Sequence, residues 1–414
     1  MRFMKLSLTL LALERAAWGE ELDLTTIVAE ARERSPEIRA AQKRYEALSQ
    51  RPRQENGLPD PSVSIGYNSN GSPRPFAGIG REPTSNAGVM VSQELPYPGK
   101  LRLRAAVASK EAEAAFQDYL SARLAVSTRV KQAYHGLHHA YEAEGVLVRS
   151  RDLLTMLLGI TGIRYSAGRA MQQDVLKAQT QLSILETRIS QIERERRSKE
   201  AEINSLLNRR VGAAVPKPAN TPLPEVVPAL ETLLAHARKR APALRREEKM
   251  IERAELAVNL ARKSVYPDYM LTGGYFNMGS MPDMYMFRAD IKIPLRRGRQ
   301  RAELAEKSYG LTGSRRAYEA VSKDLEFRIA DEHAAAETAA RLLKLYSTTV
   351  IPQARLTLES SLASYETGGV DFLSVLMNYM AVLEFELSYH DEMEKLRVAM
   401  SRLEEMSGTE VIER

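Results

Sequence analysis

The chain of 414 residues contains no cysteine. Disulfides, cysteine-ligated metals and a lipidated N-terminal cysteine are therefore excluded. Beyond the N-terminal stretch, no segment offers the roughly 20 consecutive apolar residues that a membrane-spanning helix needs, so any membrane crossing would use strands. Aromatic residues make up only 6% of the chain, and 59 basic residues are interleaved with 53 acidic ones. Without a basic stripe backed by aromatic residues, this charge does not favour nucleic-acid binding.

Residues 1–19 are typical of a secretory signal peptide. Met1 to Lys5 is basic, Leu6 to Leu13 is apolar, and small residues flank Trp18. A frayed amphipathic N-terminus is the alternative. Cleavage after Gly19 would remove the only tryptophan of the chain.

The sequence repeats itself at a spacing of about 200 residues, and such internal repeats decide the fold. The matched segments are 35–39 with 241–245, 58–60 with 266–268, 95–100 with 293–299, 165–168 with 365–368, and 175–176 with 375–376. We therefore expect a first structural repeat over 20–208 and a second over 229–408. The segment 209–228 between them is rich in proline and is interpreted as a linker.

Each repeat contains two segments in which apolar and polar residues alternate. They predict one β-hairpin near 62–95 and another near 269–294. In the last strand one face is wholly apolar, and the other ends in Arg288, Asp290 and Lys292. A soluble sandwich also shows such alternation, but four strands separated by long helices cannot form two full sheets. They cannot close a barrel alone either, so several chains would pool strands, with the charged face lining water.

Helices account for the rest of each repeat. The first helices, 24–54 and 229–265, each contain a proline near the start, which predicts a break there. The proline-free stretch 101–165 would span on the order of 100 Å, and its apolar residues follow coiled-coil spacing. Gly168 and Gly368 then permit left-handed reversals. Helices are predicted to return over 172–208 and 372–406.

The two turn segments resemble the TolC-type outer-membrane efflux family, and so does the segment that follows the first hairpin, here called the strand exit. The resemblance rests on three segments, which are Arg164-Tyr165-Ser166-Ala167-Gly168, Ser364-Tyr365-Glu366-Thr367-Gly368, and Pro96-Tyr97-Pro98-Gly99-Lys100. The resemblance implies a mainly α protein with membrane β-strands. Three identical chains would form a twelve-stranded β-barrel in the outer membrane, continuous with a periplasmic α-helical barrel. It implies an exit duct without cofactors, opened by a periplasmic adaptor and an inner-membrane pump.

The resemblance also implies roles for residues at the turns. The expected gate consists of Arg164, Tyr165, Asp174, Tyr365 and Asp371. The expected adaptor-docking turns contain Gly168, Arg169, Gly368 and Gly369. The family often has an arginine at the place of Val370, and its best-known member has aspartates at the places of Ser374 and Met377. We therefore expect a less acidic tunnel mouth, and Asp371 lies out of register with those aspartates.

Further patterns concern the substrate. The strand exit resembles the heavy-metal branch of the family, which exports cobalt, zinc and cadmium or copper and silver. Methionines cluster around the second hairpin, but strand and loop methionines are the simpler interpretation. His135, His138 and His139 have spacing that can bind metal, yet a solvated helix face is the preferred interpretation. We assign no metal site.

The remaining signals separate the classes of function. Arg296, Arg297, Arg299 and Arg301 follow the last strand, where they either reach lipid headgroups or are ordinary helix-start charges. No nucleophile elbow, metalloprotease helix or paired-carboxylate setting is present, so we expect no enzyme. The alternative to an exit duct is a soluble periplasmic coiled-coil scaffold.

Overall fold

The computed structural model describes residues 21–69, 74, 76–220, 222, 226–293, 295 and 297–409. The predicted signal peptide at 1–19 lies outside these residues, as does Arg296. The chain divides into two compact units. The helical unit contains the residues up to Ala40, Leu120–Pro242 and those from Ser322 on. The sheet unit contains Ala41–Tyr119 and Ala243–Val321.

Both repeats supply the same order of elements. The first contains α1 (Leu24–Arg34), α2 (Pro36–Leu48), α3 (Arg51–Asn56), β1 (Ser62–Asn68), β2 (Asn86–Leu95), α4 (Lys100–Ser166) and α5 (Gln172–Leu206). The second contains α6 (Leu230–Arg240), α7 (Pro242–Lys263), β3 (Asp268–Asn277), β4 (Met284–Lys292), α8 (Arg297–Leu345), α9 (Ile351–Thr367) and α10 (Phe372–Ser407). The hairpins and long helices lie where the sequence predicts them. The repeat and linker boundaries remain predictions.

Prolines set the predicted helix breaks. The first break falls at Ser35-Pro36 and the second at Ala241-Pro242, because a proline in a helix interior has no N–H to donate and its ring clashes with the preceding turn. A π-helical segment, Tyr346–Val350, ends two residues before Pro352 and was not predicted. The missing N–H of that proline leaves a carbonyl one turn earlier without its helical partner, and a local widening accommodates this.

The four strands form one antiparallel sheet in the order β1-β2-β3-β4, so β1 and β4 are its edge strands. Ser62 pairs with Ser92, and Asp268 pairs with Lys292. These pairs lie at the helix-side end of the sheet, where β1 and β3 begin and β2 and β4 end. The hairpin connections lie at the opposite end.

The helical unit is held together by a continuous apolar core. Leu147, Leu154, Leu185 and Leu383 are almost completely buried, and each such side chain contributes roughly 2 kcal/mol by leaving water. The same unit contains a buried ion pair between Lys131 and Glu404, with 2.7 Å between Nζ and Oε2.

None of the helices in the described part of the chain combines the length and the apolar character that crossing a membrane requires.

Candidate functional site

The candidate gate lies where the helical hairpins of the helical unit turn. Gly168 and Gly368 have φ angles of 71° and 83°, the left-handed conformation that glycine adopts without steric cost. In each turn a backbone N–H reaches back to the last helical residues: Arg169 N donates to Arg164 O at 2.8 Å, and Gly369 N to Ser364 O at 2.8 Å. The predicted reversals are therefore present in both repeats, with matching backbone geometry.

Arg164 joins the two turns. Its guanidinium carbon lies 4.4 Å from the centroid of the Tyr365 ring, and one of its nitrogens donates to the Tyr365 carbonyl. A second carbonyl, that of Glu366, is 3.5 Å away. A cation over an aromatic ring and a charged donor on a helix C-terminus are both stabilising arrangements. Arg164 therefore attaches the first repeat to the second within one chain.

Tyr365 is buried, whereas its counterpart Tyr165 is 46% exposed. The Tyr365 ring packs against Phe372 with 6.0 Å between centroids, within the apolar core of the helical unit. Its hydroxyl group is buried and has no hydrogen-bond partner among the described residues. Tyr365 is thus held by packing and by Arg164, and not through its hydroxyl.

The two predicted gate aspartates cap helices. Asp371 accepts hydrogen bonds from the hydroxyl and the backbone N–H of Ser374, and these bonds lower the pKa of its carboxyl group. Asp174 accepts from the backbone N–H of Met171 at 3.4 Å and so forms part of a capping box. Both aspartates therefore stabilise the starts of the return helices α10 and α5.

An exposed apolar surface surrounds the turns, and the sequence interpretation missed it. These residues belong to both hairpins and are Ile163, Met171, Leu176, Leu373 and Met377. Their positions in the sequence could have revealed them, because they lie between the residues that face the core on each helix. Arg169 is also exposed, so the turns present apolar contact area beside a positive charge.

The predicted solvated face formed by His135, His138 and His139 is wrong. His135 and His138 are buried, and burial lowers the pKa of His135 to about 3 and that of His138 to about 4. His139 Nε2 lies 2.7 Å from an Asp391 carboxylate oxygen. The described residues contain no group of three His, Cys, Asp or Glu side chains arranged to hold a metal. The spacing of the three histidines places them on one helix face, and the same spacing occurs on buried and on solvated faces. Here that face packs into the core.

The predicted water-facing residues of β4 lie on one side of the strand. Arg288 Nε is 2.9 Å from Asp290 Oδ2, and Lys292 follows in the same phase. This side of the sheet also contains an apolar row, in which Phe276 packs beside Met90. It is therefore less uniformly polar than a wholly wet face would be.

Residues 27–209 match the family model described as outer membrane efflux protein. The first repeat is therefore similar in sequence to that family, and the predicted TolC-type resemblance is confirmed. The match also supports the predicted outer-membrane location. A search of the curated proteins finds no match.

Solved outer-membrane channels have the same fold. A structure of CusC is 16% identical, covers 94% of this chain and 92% of its own, and has a TM-score of 0.79. VceC from Vibrio cholerae is 19% identical over 93% of this chain and 96% of its own, with a TM-score of 0.77. The open-state MtrE channel of Neisseria gonorrhoeae is 19% identical over 93% and 89%, with a TM-score of 0.76. These matches confirm the predicted mainly helical fold with one small antiparallel sheet. The trimeric barrel and membership of the heavy-metal branch remain predictions.

Proposed function

We propose that the protein is the outer-membrane exit duct of a tripartite efflux system, with three identical chains around one pore. The observation that carries this proposal is the sheet, whose apolar side chains are exposed on one face. Ile65 is 86% exposed, Tyr285 78% and Phe287 79%. A band of this kind is the lipid-facing surface of a membrane barrel. The family match supports the efflux role.

The edge strands support the assembly. β1 and β4 each have only one neighbour in the sheet, so each leaves a row of backbone groups that another strand can pair with. Four strands are too few for a closed barrel, whereas three chains would supply twelve. Pairing of β4 with β1 of the next chain would satisfy both edges.

A planar-bilayer recording tests this function. We expect stable single-channel conductance from the purified protein and its retention in membranes washed with carbonate. A soluble scaffold would be released by that wash and would give no conductance. Release by the carbonate wash together with absence of conductance would rule out the exit duct in favour of the scaffold.

We also propose that the turns gate the duct and bind the adaptor, as the family resemblance implies. The exposed apolar side chains beside Arg169 and Gly369 supply contact area for a helical hairpin of a partner. Photo-crosslinkers at Met171 and Met377 should capture the adaptor in cells, whereas one at Arg197, which is exposed farther along α5, should not. Equal capture at all three positions would contradict docking at the turns.

The substrate remains a prediction from the strand exit, which resembles the heavy-metal branch. Deleting the gene and comparing sensitivity to copper, zinc and hydrophobic drugs separates metal export from drug export. Sensitivity to drugs alone would remove the metal prediction.

A further inference from the structure

Basic side chains accumulate at the helix-side end of the sheet. Three of the four chain segments that cross this end, 97–104, 262–268 and 292–301, contain one described acidic residue, Asp268. Their described basic residues are Lys100, Arg102, Arg104, Arg262, Lys263, Lys292, Arg297, Arg299 and Arg301. The fourth segment, before β1, adds Asp60. This end of the sheet is therefore strongly positive, although the whole chain is nearly balanced.

The six arginines of this group differ from other arginines of the same helices. They are exposed, and none of them forms an ion pair with another described residue. Farther along α8, Arg315 pairs with Glu255 at 3.0 Å, Arg316 with Glu319 at 2.6 Å, and Arg328 with Asp324 at 2.9 Å. Exposed arginines without carboxylate partners repel one another, so an anionic partner would stabilise this arrangement.

Contacts among the crossing segments hold these segments against one another. Asp268 accepts from Lys100 Nζ at 2.9 Å and from the backbone N–H of Tyr97 at 2.7 Å. The Tyr97 ring stacks on that of Tyr266, with 4.5 Å between centroids. Lys263 Nζ lies 3.4 Å from a carbonyl of the segment before α4. Asp268 is thus bound by Lys100 and Tyr97. It attracts Arg104 electrostatically but forms a direct ion pair with none of the six arginines.

Exposed apolar and aromatic side chains lie directly beside the arginines. Val265 and Tyr266 precede β3, and Ile293 and Leu295 follow β4, all at least about half exposed. Aromatic residues at the end of an apolar strand band, followed by arginines, are the arrangement found where protein meets lipid headgroups. We name the six arginines, 102, 104, 262, 297, 299 and 301, the arginine collar.

We propose that the arginine collar binds the phosphate groups of anionic phospholipid headgroups at the periplasmic surface of the membrane. The inference rests on the proposed placement of the sheet in a membrane. Guanidinium groups bind phosphate oxygens in a bidentate manner, and their stems remain in contact with apolar surface. Lipid binding would fix the depth of the sheet and supply the counter-charge that the chain lacks there.

Lipid selectivity in proteoliposomes tests the proposal. The probes are spin-labelled phosphatidylglycerol and phosphatidylcholine, and the measured quantity is their relative association constant at the protein surface. We expect wild-type protein to favour phosphatidylglycerol at least about twofold at low salt, and 0.5 M NaCl to reduce this preference because salt screens exposed charges. Replacing Arg297, Arg299 and Arg301 together with glutamine should bring the ratio close to one.

The matched control removes the same charge from the same helix. Arg315→Gln, Arg316→Gln and Arg328→Gln together should leave the wild-type preference intact, because these arginines have carboxylate partners. An equal loss of preference in both triple variants would overturn the collar as the binding site. So would wild-type protein that inserts but shows no preference.

Two further results separate this inference from the exit-duct function. Failure to insert into vesicles of either composition would overturn both proposals. Insertion with conductance, no lipid preference, and an anion preference that the collar variant removes would overturn lipid binding alone. In that case the arginines would face the water-filled interior.

Discussion

At the scale of single residues, the surroundings of Tyr365 distinguish two kinds of gate. A hydroxyl-based latch would need a hydrogen-bond partner for the phenol, and the described residues provide none. The ring instead carries the Arg164 guanidinium on its face. Such a contact contributes about 0.5–2 kcal/mol, which corresponds to a change of roughly 2- to 30-fold in a closed-to-open ratio.

We therefore expect Tyr365→Phe to leave the resting conductance unchanged, because the substitution keeps the ring and removes an unpaired hydroxyl. Arg164→Gln should raise the resting conductance or open probability several-fold. Single-channel recording measures both. Arg197→Gln, an exposed arginine on α5, is the control for loss of charge. Increased opening in Tyr365→Phe with none in Arg164→Gln would contradict the guanidinium-based gate.

The buried histidines make stability depend on pH. His135 and His138 have folded-state pKa values of about 3 and about 4, below the 6.5 of an unfolded histidine, mainly through burial. The unfolded chain therefore binds more protons, and stability falls as pH decreases from 6.5 towards 4. His139 acts in the opposite direction: burial is outweighed by Asp391 and Glu394, which raise its pKa.

A substitution isolates the contribution of His135. Both of its ring nitrogens are buried without a partner, so His135→Leu removes no hydrogen bond. Between pH 7 and pH 4 the wild type should lose roughly 3 kcal/mol more stability than the variant. Thermal unfolding followed by helical circular dichroism, at several pH values in this range, measures this difference in stability. Parallel pH profiles would show that His135 does not titrate on unfolding.

At the scale of elements, two glycines that face each other in the sheet have different surroundings. Gly66 pairs with Gly88 in the ladder between β1 and β2. A Cβ at Gly66 would meet nothing within 4 Å, whereas one at Gly88 would lie 2.3 Å from the Tyr275 carbonyl oxygen and 2.4 Å from a Phe276 ring carbon. Gly88 therefore allows the close approach of β3.

Gly88→Ala should destabilise the sheet by about 1–3 kcal/mol, since backbone and a packed aromatic ring must move. Gly66→Ala should be nearly neutral. The thermal midpoint of the reconstituted protein, followed by loss of β-sheet signal, compares the two variants. Equal midpoints would show that the Phe276 contact is easily displaced.

Local sequence signals predicted these elements because their causes are local. Alternation defined the strands, proline defined the breaks at Pro36 and Pro242, and glycine defined both reversals. The contact between Arg164 and Tyr365 joins residues 201 positions apart, and no local pattern encodes it. The burial of His135 was also missed, because helical spacing does not reveal whether a face meets water or another helix.

At the scale of the whole molecule, the absence of cysteine permits a direct test of the assembly. Cysteine at Ile65 on β1, combined in turn with cysteine at Tyr285, Phe287 or Ile291 on β4, should give a covalent trimer in one register. Gel electrophoresis without reductant reads the result. Cysteines at Val89 and Tyr275, which pair within one sheet, should link only inside the chain. If every pair of cysteines on β1 and β4 gave only monomers, the pairing of β4 with β1 of the next chain would be contradicted.

The Arg164 contact also determines which parts of the gate can move apart. It attaches the end of one helical hairpin to the end of the other within the same chain. Opening by splaying these two hairpins would break it, whereas opening by sliding of neighbouring chains would preserve it. The increase in opening expected for Arg164→Gln corresponds to splaying within each chain, because removing a contact favours only a state in which that contact is already broken. An unchanged open probability would instead indicate that the three chains move as rigid bodies.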